Sequence, residues 1–299
     1  MNISRYNRIS ERLILAYLAF LAVFILIFQS FITSWFYLLL TQIIAGAILI
    51  GLVKLQAAHP DQPLLRTIRN WLPLPYVIFG YKMIHYLITS DRNPGFMMIK
   101  DRWLIIADRY LFGCDPTVWL QRVTTPWLSE VLQLLYATNY FLPLILALTL
   151  YLKKEKIPFQ KTIFVVTLGY ILSYLGYFVI PAIGPRFTIH HTVPLQGLFI
   201  REQLHRIIYS MESCPRDCFP SGHTEIPLIT LWLAYRFKRV LFWIYLPIVT
   251  GLVCSTVYLR YHYVVDVIAG MALAGIVILL ARRVENREWG MGSGDQETR

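Results

Sequence analysis

Charge is what this chain is short of. Asp, Glu, Lys and Arg make up 15% of its 299 residues and hydrophobic residues 57%, where a soluble domain carries about 25% charged and 45–50% apolar residues. Mean hydropathy is +0.53. These figures exclude a water-soluble globule and point to an integral membrane protein. The sequence also lacks internal repeats and low-complexity tracts. No small-residue cleavage site follows the first apolar run, Leu13 to Ile32. That run therefore reads as a first membrane helix and not as a signal peptide. The net charge of +11 belongs on this reading to loop lysines and arginines at the membrane surface, with no nucleic-acid partner.

What is present is a series of apolar runs. About 20 apolar residues cross a bilayer as a helix. The sequence predicts spans over 13–32, 36–55, 71–89, 129–152, 162–183, 223–236, 240–258 and 263–281. The sixth is short and needs either an earlier start, in the "SGH" turn, or a buried place in the bundle. Met97–Gly113 mixes charge with apolar residues at helical spacing and reads as an interfacial amphipathic helix. Eight spans put both termini on one side. That side collects 17 of the 28 lysines and arginines (Arg5, Arg8, Arg12, Lys54, Arg66, Arg69, Lys153, Lys154, Lys156, Lys161, Arg236, Lys238, Arg239, Arg282, Arg283, Arg287 and Arg299), mostly in short segments beside helix ends, against 11 on the other. Such a bias marks the cytoplasmic face. The loops 90–128 and 184–222 are then extracytoplasmic. The expected organisation is an N-terminal helix pair (1–58), a membrane domain (59–285) and a polar tail (286–299), all α-helical and polytopic.

Two stretches carry chemistry, each at the outer end of a predicted span. In "VYLRYHYVVD" (Val257–Asp266), His262 and Asp266 are four apart, a helical-face spacing. A carboxylate beside an imidazole fixes its tautomer and frees the other ring nitrogen as nucleophile or base. Ionisable groups at a membrane helix are functional candidates by default; a structural pair at a helix end is the plainer alternative. In "CFPSGHTEIP" (Cys218–Pro227), Gly222 permits close backbone approach, and Ser221 opens a helix start suited to an anion. His223 can protonate a leaving oxygen. The plainer alternative there is an ordinary helix cap at Ser221.

Together, "PSGH" and "VYLRYHYVVD" resemble the second and third signature motifs of the type 2 phosphatidate phosphatase superfamily, over roughly 161–281. The resemblance implies a six-helix phosphatase-type membrane core, here with two extra N-terminal spans, and a phosphoryl transfer that needs no metal or other cofactor. By position, His262 would attack phosphorus with Asp266 orienting it, and His223 would protonate the leaving group. Ser221 and the Gly222 amide would hold phosphate oxygens. Two departures stand out. Thr256 occupies the place of the family's third-motif arginine, and Arg260 follows one turn later. The first motif reduces to "PAIGPRF" with Arg186, and Val179 stands where the family has lysine. Arg186 and Arg260 are the cations left to bind phosphate.

The implied activity is hydrolysis of a lipid phosphomonoester of the phosphatidate, phosphatidylglycerophosphate, phosphatidylinositol phosphate or polyprenyl type. The altered first motif, "LFGCDPTVWL" (Leu111–Leu120) and the extra spans are similar to inositol phosphorylceramide synthases, which would make it a headgroup transferase. A transporter or a non-catalytic scaffold is the reading from another class, but the polar residues gather at one interface and not at midspan. The partners expected are the lipid phosphate substrate and membrane lipids.

Among weaker signals, Cys214 and Cys218 flank "PRD" in an outer loop. A disulfide is one reading of the pair and two free thiols the other. Cys254 reads as packing within a span. Tyr258, Tyr261 and Tyr263 read as interfacial aromatics. His190 and His191 read as solvated loop residues, with headgroup contact the alternative. Glu225 is placed to pair with an arginine or to tune His223.

Overall fold

The computed structural model describes residues 5–89, 99–212 and 216–292. Among these the regular structure is helical, with a lone bridge from Ala182 to Asp217. Helices α1 (Arg5–Ile27) and α2 (Trp35–Ala58) pack as a pair. Helices α3 (Pro63–Trp71) and α4 (Pro73–Ile88) each begin with proline, whose missing N–H costs no bond in a first turn. Helix α5 (Asp101–Phe112) stops at Gly113 with φ 70°, the left-handed conformation that glycine supplies at helix ends. Then come α6 (Pro116–Trp119), α7 (Pro126–Ala137), α8 (Phe141–Leu152), α9 (Lys156–Val179), α10 (Pro185–Thr188), α11 (Arg201–Glu212), α12 (Gly222–Phe237), α13 (Arg239–Tyr258) and α14 (Val264–Gly292).

Among the described residues six segments are long and apolar enough to cross a membrane: 5–27, 35–58, 126–152 (α7 with α8), 156–179, 239–258 and 264–286. The other two expected spans are α4 and α12, of 16 residues each. At 1.5 Å per residue these are about 24 Å long, short of a hydrocarbon core of roughly 30 Å. Helix α12 starts at Gly222, one residue before the expected span and too little to lengthen it to a full crossing; it has instead the buried place, packed centrally against α8, α9, α13 and α14.

Around α12 the core is Leu146, Leu150, Val165, Ile226, Ile229, Leu233, Leu252 and Val277. A second cluster, with Leu21, Ile25, Ile84, Leu87 and Ile171, joins α1, α4 and α9. Lipid is as apolar as leucine, so close packing and not water exclusion holds such contacts together. Phe36, Ile43, Trp243 and Leu279 point outward, as a lipid-facing surface requires. Ion pairs collect at the end of the bundle where α12 and α14 finish: Lys161–Glu285 (2.6 Å) and Arg236–Glu285 (2.8 Å).

Helix α14 continues to Gly292, past the expected start of the polar tail at 286; 293–299 lie outside the described residues. The amphipathic segment Met97–Gly113 is α5, starting at Asp101, with 97 and 98 outside the described residues.

Candidate active site

Helices α12 and α14 start at one end of the bundle, and their first residues are tied together. The Ser221 amide donates to the Asp266 carbonyl at 3.2 Å. Gly270 permits this approach, because a Cβ there would stand 2.6 Å from the Ser221 carbonyl oxygen. Ser221 occupies the N-cap position of α12 without a side-chain capping bond. Its hydroxyl accepts from the Thr224 hydroxyl at 3.0 Å. Gly222 and His223 form the first turn, where helix amides have no partner within the helix.

His262 lies in the turn before α14, which begins at Val264, so the pair does not share a helical face as its spacing suggested. Asp266 reaches back instead. Its Oδ2 accepts from the Tyr263 amide at 2.9 Å, as the acidic residue of a capping box does. That bond holds the same oxygen 3.5 Å from Nδ1 of His262. The turn is fixed from the other side as well. The Thr256 carbonyl accepts from the Tyr261 and His262 amides at 2.9 and 3.0 Å. The Thr256 hydroxyl turns back to the Val253 carbonyl.

Cys218 completes this cluster. Its Sγ donates to Asp266 Oδ2 at 2.9 Å and lies 3.5 Å from His262 Nδ1. Of the cysteine pair, Cys214 lies outside the described residues, and Cys218 is a free, buried thiol. Burial, and then the Asp266 carboxylate, push its pKa up, which keeps it a donor. Ligand atoms of Cys218, His262 and Asp266 lie within 4.8 Å of one another, a grouping able to hold a metal ion.

The rings of His223 and His262 are 6.0 Å apart between centroids. Tyr136 stacks on His223 at 4.3 Å, and its hydroxyl lies 3.3 Å from His223 Nδ1. Tyr136 also stacks on Tyr261 at 4.3 Å. Glu225, buried in the first turn of α12, accepts from the Ser173 hydroxyl, a partner other than the arginine that was one of its two expected roles. Arg186 and Arg260 are brought together, the amide of Arg186 donating to the Arg260 carbonyl at 3.0 Å. Arg186 packs over the Tyr261 ring at 4.8 Å. Arg260 holds φ 65°, a strained conformation for a non-glycine residue and one that gathers at functional sites. Ser221, Gly222, His223, His262 and Asp266 therefore converge, and Arg186 meets this group through the Tyr261 ring.

Three tyrosines depart from the interfacial place expected of them. Tyr258, Tyr261 and Tyr263 are buried, and each hydroxyl is engaged. Tyr258 bonds Ser129 (3.0 Å), Tyr261 bonds His205 Nδ1 (2.6 Å), and Tyr263 donates to Asp101 (2.8 Å). Cys254, read as packing, is exposed on the span surface. His191 is half-buried and bonds Thr117 at 3.1 Å.

Two carboxylates on α5 escaped the sequence reading. Asp101 accepts from the Ile183 and Gly184 amides at 2.9 and 2.8 Å. Asp108 accepts from the Val264 and Val265 amides at 3.0 and 2.9 Å. Asp108 thus satisfies two first-turn donors of α14, beside the one that Asp266 takes. The signal available was their spacing. Residues seven apart share a helix face, and two acids on one face of an otherwise amphipathic segment need a common partner.

A family model described as the PAP2 superfamily matches residues 102–280, more than half of the chain. The match starts earlier than the motifs and takes in α5 with Asp108. No curated protein and no solved structure matches the chain.

Proposed function

The chain belongs to the PAP2 superfamily, and from that premise we propose that it is a membrane lipid phosphatase that hydrolyses a lipid phosphomonoester through a phosphohistidine. The observation that carries the reading is the Asp266 carboxylate held 3.5 Å from Nδ1 of His262 by the Tyr263 amide. A carboxylate on Nδ1 leaves the Nε2 lone pair for attack. Nε2 bonds to phosphorus as the phosphorus–oxygen bond to the lipid breaks. His223 gives its proton to the leaving oxygen, so the lipid departs as an alcohol. Water, deprotonated by the now neutral His223, then attacks phosphorus. The phosphorus–nitrogen bond breaks, and inorganic phosphate leaves. The amides at the start of α12 favour the phosphoryl oxygens, and Arg260, two residues before His262, adds positive charge of the kind that phosphoryl transfer demands. This cycle uses no metal.

The charged end of the bundle, with Lys161, Arg236 and Glu285, lies opposite the site. With the basic bias of the short loops, this favours cytoplasmic termini and a site open to the extracytoplasmic face.

A second reading, a headgroup transferase similar to inositol phosphorylceramide synthases, draws on the reduced first motif and the α1–α2 pair. The test is product analysis. Purified protein given a lipid phosphomonoester and no alcohol should release inorganic phosphate. Negligible release, with a phosphodiester lipid formed once ceramide or diacylglycerol is supplied, would replace the phosphatase by the transferase.

A further inference from the structure

A cavity of 440 Å³ opens beyond Tyr261, lined by Arg186, Arg201, Arg260, His190, His191 and His205, and among the described residues none of its lining is acidic. Arg260 and Arg201 are only 8% and 9% exposed. Nε of each, with Nε and Nη1 of Arg186, is buried without a hydrogen-bond partner. The remaining contacts are few. Arg260 donates to the Val193 carbonyl. Arg201 donates to the Leu195 carbonyl and lies 3.5 Å from Glu202. Burial, and then Arg201, lower the Arg260 pKa; burial and Arg260 bring His191 down to about 4. Buried guanidinium donors left unused are costly and in a native protein call for an unseen partner. The planar fork of arginine fits phosphate or carboxylate oxygens.

The transferred phosphate alone does not account for this cavity. The contacts run from His223 to Tyr136, from Tyr136 to Tyr261, and from Tyr261 to Arg186. Two rings therefore stand between the proton donor and Arg186. The volume lies in the range of about 300–1,000 Å³ typical of ligand pockets, ample for a headgroup. We infer that the cavity receives a second anionic group of the same substrate, set apart from the transferred phosphorus by a spacer. The substrate class is then a lipid phosphate whose headgroup carries two anionic groups, and Arg201 recognises the second. This assignment rests on the phosphatase reading for the word substrate, and its test needs no turnover.

The test uses the full chain in detergent, carrying His262→Ala. Calorimetry compares glycerol 1-phosphate with glycerol 1,3-bisphosphate. The bisphosphate should bind at least about tenfold tighter, or about 1.4 kcal/mol, and Arg201→Gln should remove the preference. Leu195→Trp, which fills the cavity from its wall and changes no charge, should remove it too if Arg201→Gln does not fold. Equal affinities in the parent, or a loss in Arg201→Gln that is the same for both ligands, would overturn the assignment. So would saturable binding of inorganic phosphate that Arg201→Gln abolishes without any bisphosphate preference, since the cavity would then hold a free anion. A bisphosphate preference in a protein that releases no phosphate from lipids would leave the cavity assignment standing and remove the phosphatase one.

Discussion

Asp266 does several jobs through one oxygen. Its Oδ2 receives the Tyr263 amide and the Cys218 thiol and faces Nδ1 of His262, while Oδ1 is buried without a partner. Asp266→Asn can present its amide nitrogen to the histidine and select the wrong tautomer. Turnover should fall by roughly 10³–10⁴, as for the carboxylate of a catalytic triad, with folding little changed. His262→Ala should abolish turnover in protein that still inserts and unfolds cooperatively. The check is the initial rate of phosphate release beside a thermal melt. Cys218 yields a labelling prediction. A thiol with a raised pKa carries little thiolate and reacts slowly. At pH 7 a soluble maleimide should modify the exposed Cys114 and spare Cys218 until the protein is unfolded, in a Cys214→Ser background read by peptide mapping. Rapid modification of native Cys218 would contradict the buried cluster. His223, His262 and Asp266 were legible in the sequence because their local spacing carries the chemistry. The tyrosines beside them were not. "YLRYHY" looks the same whether its rings meet headgroups or meet Ser129, His205 and Asp101, and only the fold supplies those distant partners.

At the scale of elements, α5 is the unexpected part. Its apolar and charged spacing announced an amphipathic helix, and α5 is one. The pattern could not say that Asp101 and Asp108 turn inward to the amides of Ile183, Gly184, Val264 and Val265. The site is therefore held by a helix outside both motifs. Asp108→Ala strands buried donors at the start of α14 and should cost roughly 1–3 kcal/mol, visible as a lowered Tm. Asp108→Asn keeps an acceptor and should cost less. Equal stability of wild type and Asp108→Ala would mean that α14 needs no such anchor. Gly270 is the second element-scale test. Alanine there brings Cβ against the Ser221 carbonyl, and overpacking costs about 1–3 kcal/mol. Gly270→Ala should separate α12 from α14 and lower turnover more than stability.

For the whole molecule, six of the eight expected spans were legible as long apolar helices among the described residues, because bilayer thickness fixes how long such runs must be; α4 and α12 are shorter. The shortness of α12 was legible too. Its place at the centre of the bundle was not, since that depends on four neighbours from separate parts of the chain. The proposed orientation has its own test. A cysteine introduced at Thr192, on the 190–210 stretch, should react with an impermeant thiol reagent in intact cells lacking the native cysteines. Reaction only after lysis would invert the topology.

The phosphohistidine is the claim from which the rest follows, and it can be trapped. Rapid quenching of the purified protein with a ³²P-labelled lipid phosphomonoester should give an acid-labile, base-stable adduct, mapped to the peptide that contains His262 and missing from His262→Ala. Steady turnover without that adduct, or with the label on the His223 peptide, would contradict the assignment of His262 as nucleophile.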